Sequence, residues 1–289
     1  MFEGTYTALI TPFRDGEVDY GALGKLIERQ IEAGVDGLVP CGSTGESATL
    51  SHEEHERVIA FTIEKANKRV KVIAGTGSNS TRESCKLTRF AKDHGADGAL
   101  LIAPYYNKPT QEGLYAHHAA VAEVDLPQLA YNIPGRSAVN ILPETVARIA
   151  RLPNVVGIKE ACGSLDQIAQ VIELCGPDFE VISGDDTLTL PILAIGGKGS
   201  ISVSSNLIPK RFAEYVKAAL AGDLPKARQA HYELFPVFRA LFAETNPIGI
   251  KAALALTGVC SDETRLPLTK MTDGNRDKLK KALETASVL

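Results

Sequence analysis

Lys159 closes the apolar run Val155-Val156-Gly157-Ile158, where burial would disfavour its charged form and lower its pKa. A neutral amine adds to a ketone, and the resulting protonated imine is an electron sink, so the chemistry on offer is Schiff-base formation. A bland alternative, a strand-end lysine paired with Glu160, stands beside it. Tyr131, in Tyr-Asn-Ile-Pro-Gly-Arg, ends the preceding apolar run. Neighbouring strands lie about 4.8 Å apart, so its phenol can reach the amine and shuttle a proton, although a lone tyrosine is also an ordinary core residue. Cys41-Gly42-Ser43-Thr44-Gly45-Glu46 follows another run and offers two hydroxyls beside glycine-permitted backbone, suited to a small carboxylate. His52 and His55 in His-Glu-Glu-His lack the H-E-x-x-H spacing and a third ligand, so no metal site is expected. His94, His117, His118 and His231 read as surface or packing residues.

These side chains need elements to hold them. Eight short apolar runs, at 7–12, 37–42, 70–75, 98–104, 127–132, 155–160, 179–184 and 199–204, each end in turn-forming residues and alternate with longer amphipathic stretches. Ser51 with Glu54, Ser80 with Glu83 and Ser164 with Gln167 have the spacing of helix capping boxes. A faint repeat, Gly34-Val35-Asp36-Gly37 and Gly95-Ala96-Asp97-Gly98, is separated by two βα steps. Eight such steps predict an α/β fold, a (β/α)8 TIM barrel with its chemistry at the carboxyl ends of the strands. A doubly wound open sheet is the alternative. Against it, no G-x-G-x-x-G follows the first run, and Gly196-Gly197-Lys198-Gly199-Ser200 lacks the hydroxyl residue a phosphate loop needs directly after its lysine. From about residue 209 the pattern is helical only, with Asn246-Pro247 as a cap and first turn and Gly258 as a stop. The expected organisation is a barrel over 1–222 and a C-terminal helical extension over 223–289 packed on it.

Composition narrows the function. Lys plus Arg number 31 against 35 Asp plus Glu, a formal charge of -4, which leaves no excess to hold a nucleic acid or an anionic membrane. With 44% hydrophobic and 23% charged residues the chain can bury a sizeable core. Five scattered cysteines, Cys41, Cys85, Cys162, Cys175 and Cys260, contain no Cys-x-x-Cys and suit free thiols in a reducing compartment. The start, MFEGTYTALITPF, has no basic segment before an apolar stretch, so a cytoplasmic location is expected.

Four motifs in order, GSTGES (42–47), PYYNKP (104–109), YNIPGR (131–136) and GIKEACG (157–163), closely resemble the dihydrodipicolinate synthase family of the pyruvate-dependent class I aldolase superfamily. The likeness extends over essentially the whole chain. It implies a cofactor-free lyase of the diaminopimelate route to lysine, in which Lys159 forms an imine with pyruvate and the enamine attacks aspartate semialdehyde before cyclisation. By the same resemblance Tyr131 is the acid/base, with Ser43 and Tyr106 completing a hydroxyl relay that includes a tyrosine donated across a subunit interface. Thr44 and the Ile201 strand end hold the pyruvate carboxylate. Many members carry Thr where this chain has Ser43; the hydroxyl is retained. Arg136 provides a planar fork for the semialdehyde carboxylate, where relatives acting on sialic acid or deoxy-sugar acids usually lack Arg. Ser47, Ala48, His52, Asn79, Glu83 and Tyr105 match the family's L-lysine feedback pocket. A homotetramer, as a dimer of dimers, or a homodimer is implied. Alternatives are another aldolase of the superfamily, such as N-acetylneuraminate lyase or a 2-keto-3-deoxy sugar acid aldolase, a silent binding protein that kept the pocket, and a metal-dependent barrel hydrolase.

Overall fold

Seven of the eight apolar runs contain a strand, and the first overlaps one, in the computed structural model, which describes residues 1–289. The strands are β1 (Gly4–Ala8), β2 (Gly37–Val39), β3 (Lys71–Gly75), β4 (Gly98–Ile102), β5 (Gln128–Asn132), β6 (Val155–Glu160), β7 (Glu180–Ser183) and β8 (Gly199–Ser202). All pair in parallel with their sequence neighbours, and β8 returns to β1, closing the barrel. The open-sheet alternative is thereby excluded. The first strand starts three residues earlier than its run. Beyond Ala8 the Ile10 N–H is taken by Asn206 Oδ1 at 3.2 Å, and Pro12 has no N–H to donate.

Helices α1 (Tyr20–Glu32), α2 (His52–Ala66), α3 (Thr81–Asp93), α4 (Gln111–Ala122), α5 (Pro143–Ile149), α6 (Leu165–Cys175), α7 (Thr189–Ala194) and α8 (Pro209–Leu220) form the outer ring. The repeat has a physical basis. Gly34 and Gly95 take φ of +80° and +88° just after α1 and α3, a conformation in which a side chain would be strained. Asp36 then accepts from Thr5 N at 2.7 Å and Asp97 from Val72 N at 2.8 Å, so each aspartate holds a backbone donor of the adjacent strand.

The capping expectations divide. Ser51 and Glu54 form the full reciprocal box at the start of α2, and Ser164 caps α6 through Gln167 N. Ser80 does not cap α3 with its side chain, and the reciprocal half of the box is missing too: its N–H donates to the Ser78 hydroxyl at 3.0 Å while the Glu83 carboxylate meets that hydroxyl and His52. Asn246 does not cap its helix either; Pro247 occupies that position, and the asparagine side chain reaches into the barrel mouth.

Side chains pointing into the barrel, among them Tyr6, Val39, Ile73, Leu100, Tyr131, Ile182 and Ile201, fill its interior. Gly37 leaves room for the Tyr6 ring, which a Cβ there would meet at 2.3 Å. A larger outer core joins the helices to the tail, α9 (Leu224–Leu241), α10 (Ile248–Leu256) and α11 (Asp273–Thr285). Phe238 of α9 packs edge-on against Phe212 of α8 with centroids 5.8 Å apart, and Leu279 and Leu283 of α11 join the same core. Burying each such side chain contributes about 1.5–3 kcal/mol. Gly258, with φ +71°, ends α10 as expected. No helix is long and apolar enough to cross a membrane.

On α4, His117 and His118 are buried, and neither ring nitrogen of His118 has a partner. Burial pushes their imidazoles down to about 4 and about 3 respectively. The unfolded chain, with imidazoles near 6.5, binds more protons, so the stability they contribute is present above pH 6.5 and lost as pH falls below it. Thermal melts between pH 7 and about 4 should show Tm falling more steeply for the parent than for His118→Leu, which has no imidazole to charge at that site. An identical slope in both proteins would refute this account.

Candidate active site

Parallel pairing of β5 with β6 sets Tyr131 opposite Lys159, and pairing of β6 with β7 sets Lys159 beside Ile182. All three therefore point into the barrel, and the Lys159 amine lies 4.3 Å from the Tyr131 ring centroid. Burial lowers this amine to about 8; the buried Asp186 carboxylate opposes the shift and Arg136 adds to it. Asp186 is itself held by Ser204, whose N–H and hydroxyl donate to it at 2.8 and 2.5 Å. Gly184 leaves room for this side chain, since a Cβ there would lie 2.8 Å from Lys159 Cε and displace it. The pairing with Glu160 is not formed. Strand alternation turns Glu160 to the outer face of the barrel, where burial pushes its carboxyl up to about 7.

The Tyr131 phenol is pushed up to about 12 by burial, against the opposing effects of Arg136 and the Ser43 hydroxyl. Ser43 and Thr44 occupy a single 3-10 turn, Ser43–Gly45, at the carboxyl end of β2. Gly45 O accepts from the Thr11 hydroxyl at 2.7 Å, and Thr44 Oγ1 accepts from Asn246 Nδ2 at 2.9 Å. Arg136 lies on a one-turn helix, Pro134–Ser137, and donates to Asn246 O at 2.7 Å. Asn246 thus bridges the two loops. Together Ser43, Tyr131, Arg136 and Asn246 line a cavity of about 310 Å³ at the barrel mouth, with Leu100 and Ile102 as apolar wall. That volume suits a small ligand, and the polar groups are few and convergent. Lys159 and Ile201 lie in the barrel's inner layer with Tyr131 rather than on the cavity wall.

The other predicted residues separate. Ser47, Ala48 and Tyr105 line the same cavity. His52, Asn79 and Glu83 stand outside it, where His52 Nδ1 is 3.2 Å from Glu83 Oε1, the other Glu83 oxygen takes the Ser78 hydroxyl, and Asn79 O accepts from Asn107 at 2.9 Å. Tyr105 links the two groups; burial and the Glu83 charge push its phenol upward. Tyr106 is 89% exposed and is not brought to the cavity of its own chain. His55 turns inward and bonds Gly75 O at 2.8 Å, so the two histidines of His-Glu-Glu-His serve different surroundings. His94 stacks on Phe90, and His231 bonds the Tyr215 phenol at 3.2 Å.

Asp186 and Lys251 are not among the residues singled out from the sequence, and Asn246 reads there only as a cap. The signal for Asp186 was its place just after the seventh apolar run. For Lys251 it was a lysine inside Ile248-Gly249-Ile250-Lys251-Ala252-Ala253, the same pattern that singled out Lys159.

The chain is similar to known proteins along its whole length. The model of the dihydrodipicolinate synthetase family matches residues 1–286. A protein of Syntrophus aciditrophicus named 4-hydroxy-tetrahydrodipicolinate synthase is 58% identical over 290 residues, covering 100% of both chains. The chloride-inhibited dihydrodipicolinate synthase of Acinetobacter baumannii, solved in complex with pyruvate, superposes with a TM-score of 0.98 at 44% identity, covering 100% of each chain. The enzyme of Cyanidioschyzon merolae, solved with lysine bound, gives 0.96 at 41% identity, covering 100% of this chain and 99% of that one. With the barrel, the buried lysine and the whole-chain matches in agreement, the chain belongs to the dihydrodipicolinate synthetase family.

Proposed function

We propose that this chain is a Schiff-base lyase that condenses pyruvate with L-aspartate 4-semialdehyde to form 4-hydroxy-tetrahydrodipicolinate, in the diaminopimelate route to lysine. The observation that carries the reading is the Lys159 amine, buried, free of an ion pair with Glu160, and lowered to about 8. At neutral pH such an amine offers far more neutral nucleophile than a lysine near 10.4. Its attack on the pyruvate ketone forms a C–N bond, and loss of water leaves a protonated imine. Removal of a methyl proton then gives the enamine, whose terminal carbon bonds to the aldehyde carbon; the product's own amine closes the ring and frees Lys159.

Each step moves a proton, and the Tyr131 phenol, kept neutral by burial, suits the donor at the departing hydroxyl. Ser43 continues the relay outward. Tyr106 completes it from a neighbouring subunit, a role supported by its exposure and its distance from its own cavity. Thr44 and the Ile201 strand end take the pyruvate carboxylate, and Arg136 takes that of the semialdehyde. The reaction needs no cofactor or metal ion, and the working form is a homotetramer or homodimer in the cytoplasm. L-Lysine regulates it through Ser47, Ala48, His52, Asn79, Glu83 and Tyr105; the lysine bound in the Cyanidioschyzon merolae enzyme supports this.

Borohydride with pyruvate should fix a three-carbon adduct on the Lys159 peptide, read by mass spectrometry, and Lys159→Ala should lose both adduct and turnover. Because the neutral amine reacts, the trapping rate should rise with pH, reach half its plateau at about pH 8 and level off above that; an unshifted lysine would still be climbing at pH 10. Arg136→Ala should cut kcat/KM for the semialdehyde by about 10- to 100-fold, as expected for losing a charged hydrogen-bond pair of about 1.5–3 kcal/mol, while imine trapping at saturating pyruvate persists. Equal losses for both substrates would contradict the assigned role. For regulation, calorimetry should detect L-lysine binding to the parent and none to Glu83→Ala; full activity at saturating L-lysine with no heat would remove the feedback site.

A further inference from the structure

The tail brings a second buried lysine to the barrel mouth. Lys251 of α10 is fully buried, forms an ion pair with the equally buried Glu46, and donates to Glu263 O at 2.8 Å. Its ammonium lies 4.1 Å from the centroid of the Phe13 ring, and the Arg265 guanidinium lies 4.5 Å from the same ring. Arg265 N donates to the other Glu46 oxygen at 3.1 Å, and its guanidinium forks onto Glu54 at 2.7 and 2.6 Å. Glu46 is therefore held from the tail by one cation, Lys251, and one backbone N–H, that of Arg265, 205 and 219 residues away in the chain.

What Glu46 carries is the turn that holds Ser43 and Thr44. Glu46 and Cys41, which bracket that turn, both have left-handed backbone, with φ of +53° and +56°. Neither is glycine, so both conformations are strained and persist only where the surroundings over-determine them. A buried ion pair is a poor source of net stability, because apolar residues of similar volume often do as well. It does differ from an apolar pair in being directional. The carboxylate must face the ammonium, which fixes the Glu46 backbone and the three residues before it.

We infer that the Glu46–Lys251 pair is a positioning device: from the tail it locks the strained Cys41–Glu46 turn so that Ser43 faces Tyr131 and Thr44 faces Asn246. Lys251 is not on the cavity wall; Glu46 borders the cavity, but its carboxylate is turned to the tail. The consequence for catalysis rests on the reading above, in which Ser43 and Thr44 act on pyruvate; the ordering of the turn does not.

The test compares the parent with Lys251→Met, Glu46→Leu, the double variant and Glu46→Gln, in the full chain. Each of the first two strands one buried charge and should lower Tm; the double removes both and should recover most of the loss. Amide hydrogen exchange is then read across 42–50 without ligand, alongside kcat and KM for both substrates. In the double variant, exchange in 42–50 should be about tenfold faster while the strands keep parental protection. Its kcat/KM for pyruvate should fall about 10- to 100-fold despite the recovered Tm, the scale of loss expected when reacting groups are held about an ångström out of place. Glu46→Gln, which keeps the shape and an acceptor for the ammonium, should show the same changes in smaller degree and decides the matter if the double does not fold. Parental exchange in 42–50, exchange raised evenly through the chain, or parental kcat/KM with a loosened turn would each overturn the inference. If the parent fails to trap pyruvate, the proposed reaction falls, while the exchange data still decide whether the pair orders the turn.

Discussion

A closed ring of eight parallel strands has a dry interior, and placing a lysine side chain inside it is the constraint around which the rest of this molecule is arranged. An ammonium ion cannot be hydrated there, so the equilibrium moves toward the neutral amine. The neighbours leave most of that shift in place. Asp186 stays within electrostatic reach but is turned to Ser204, Tyr131 offers a ring face rather than an anion, and Gly184 gives the side chain its room. A carboxylate in direct contact would have held the proton on the amine, and the adjacent Glu160 is kept away by strand alternation alone.

The mouth of the barrel depends on residues far along the chain. Asn246 joins Thr44 to Arg136, and Lys251 and the Arg265 backbone N–H hold Glu46, so the tail contacts the loops after both β2 and β5. The helical extension is thus part of the site as well as part of the core. Its apolar side merges with the outer ring through Phe212 and Phe238, which keeps these polar contacts in register.

Much of this was legible in the sequence because barrel strands are buried on both faces and announce themselves as apolar runs, while the residues that interrupt a run at its carboxyl end are few. Lys159, Tyr131 and Ser43 were found that way. Ser80 misled because its N–H and the Glu83 carboxylate both turn to the Ser78 hydroxyl, with His52 on the other Glu83 oxygen, and local spacing cannot rank such partners. Asn246 misled for a related reason: Asn before Pro is a good helix start, and nothing local reveals a hydroxyl 202 residues away.

Taken alone, the order of residues determined the eight βα steps, the strand ends that carry polar groups, and the apolar setting of Lys159. Those features follow from periodicity and turn chemistry, which are short-range. Only the tertiary structure decided which groups meet: that Lys159 faces Tyr131 and not Glu160, that Tyr106 stands outside its own cavity, that the six residues matching a lysine pocket split between the cavity and a flanking cluster, and that a second buried lysine ties the tail to the Ser43–Thr44 turn. Such pairings depend on strand register, on barrel closure and on how the tail packs, and those are set by contacts between residues far apart in the chain.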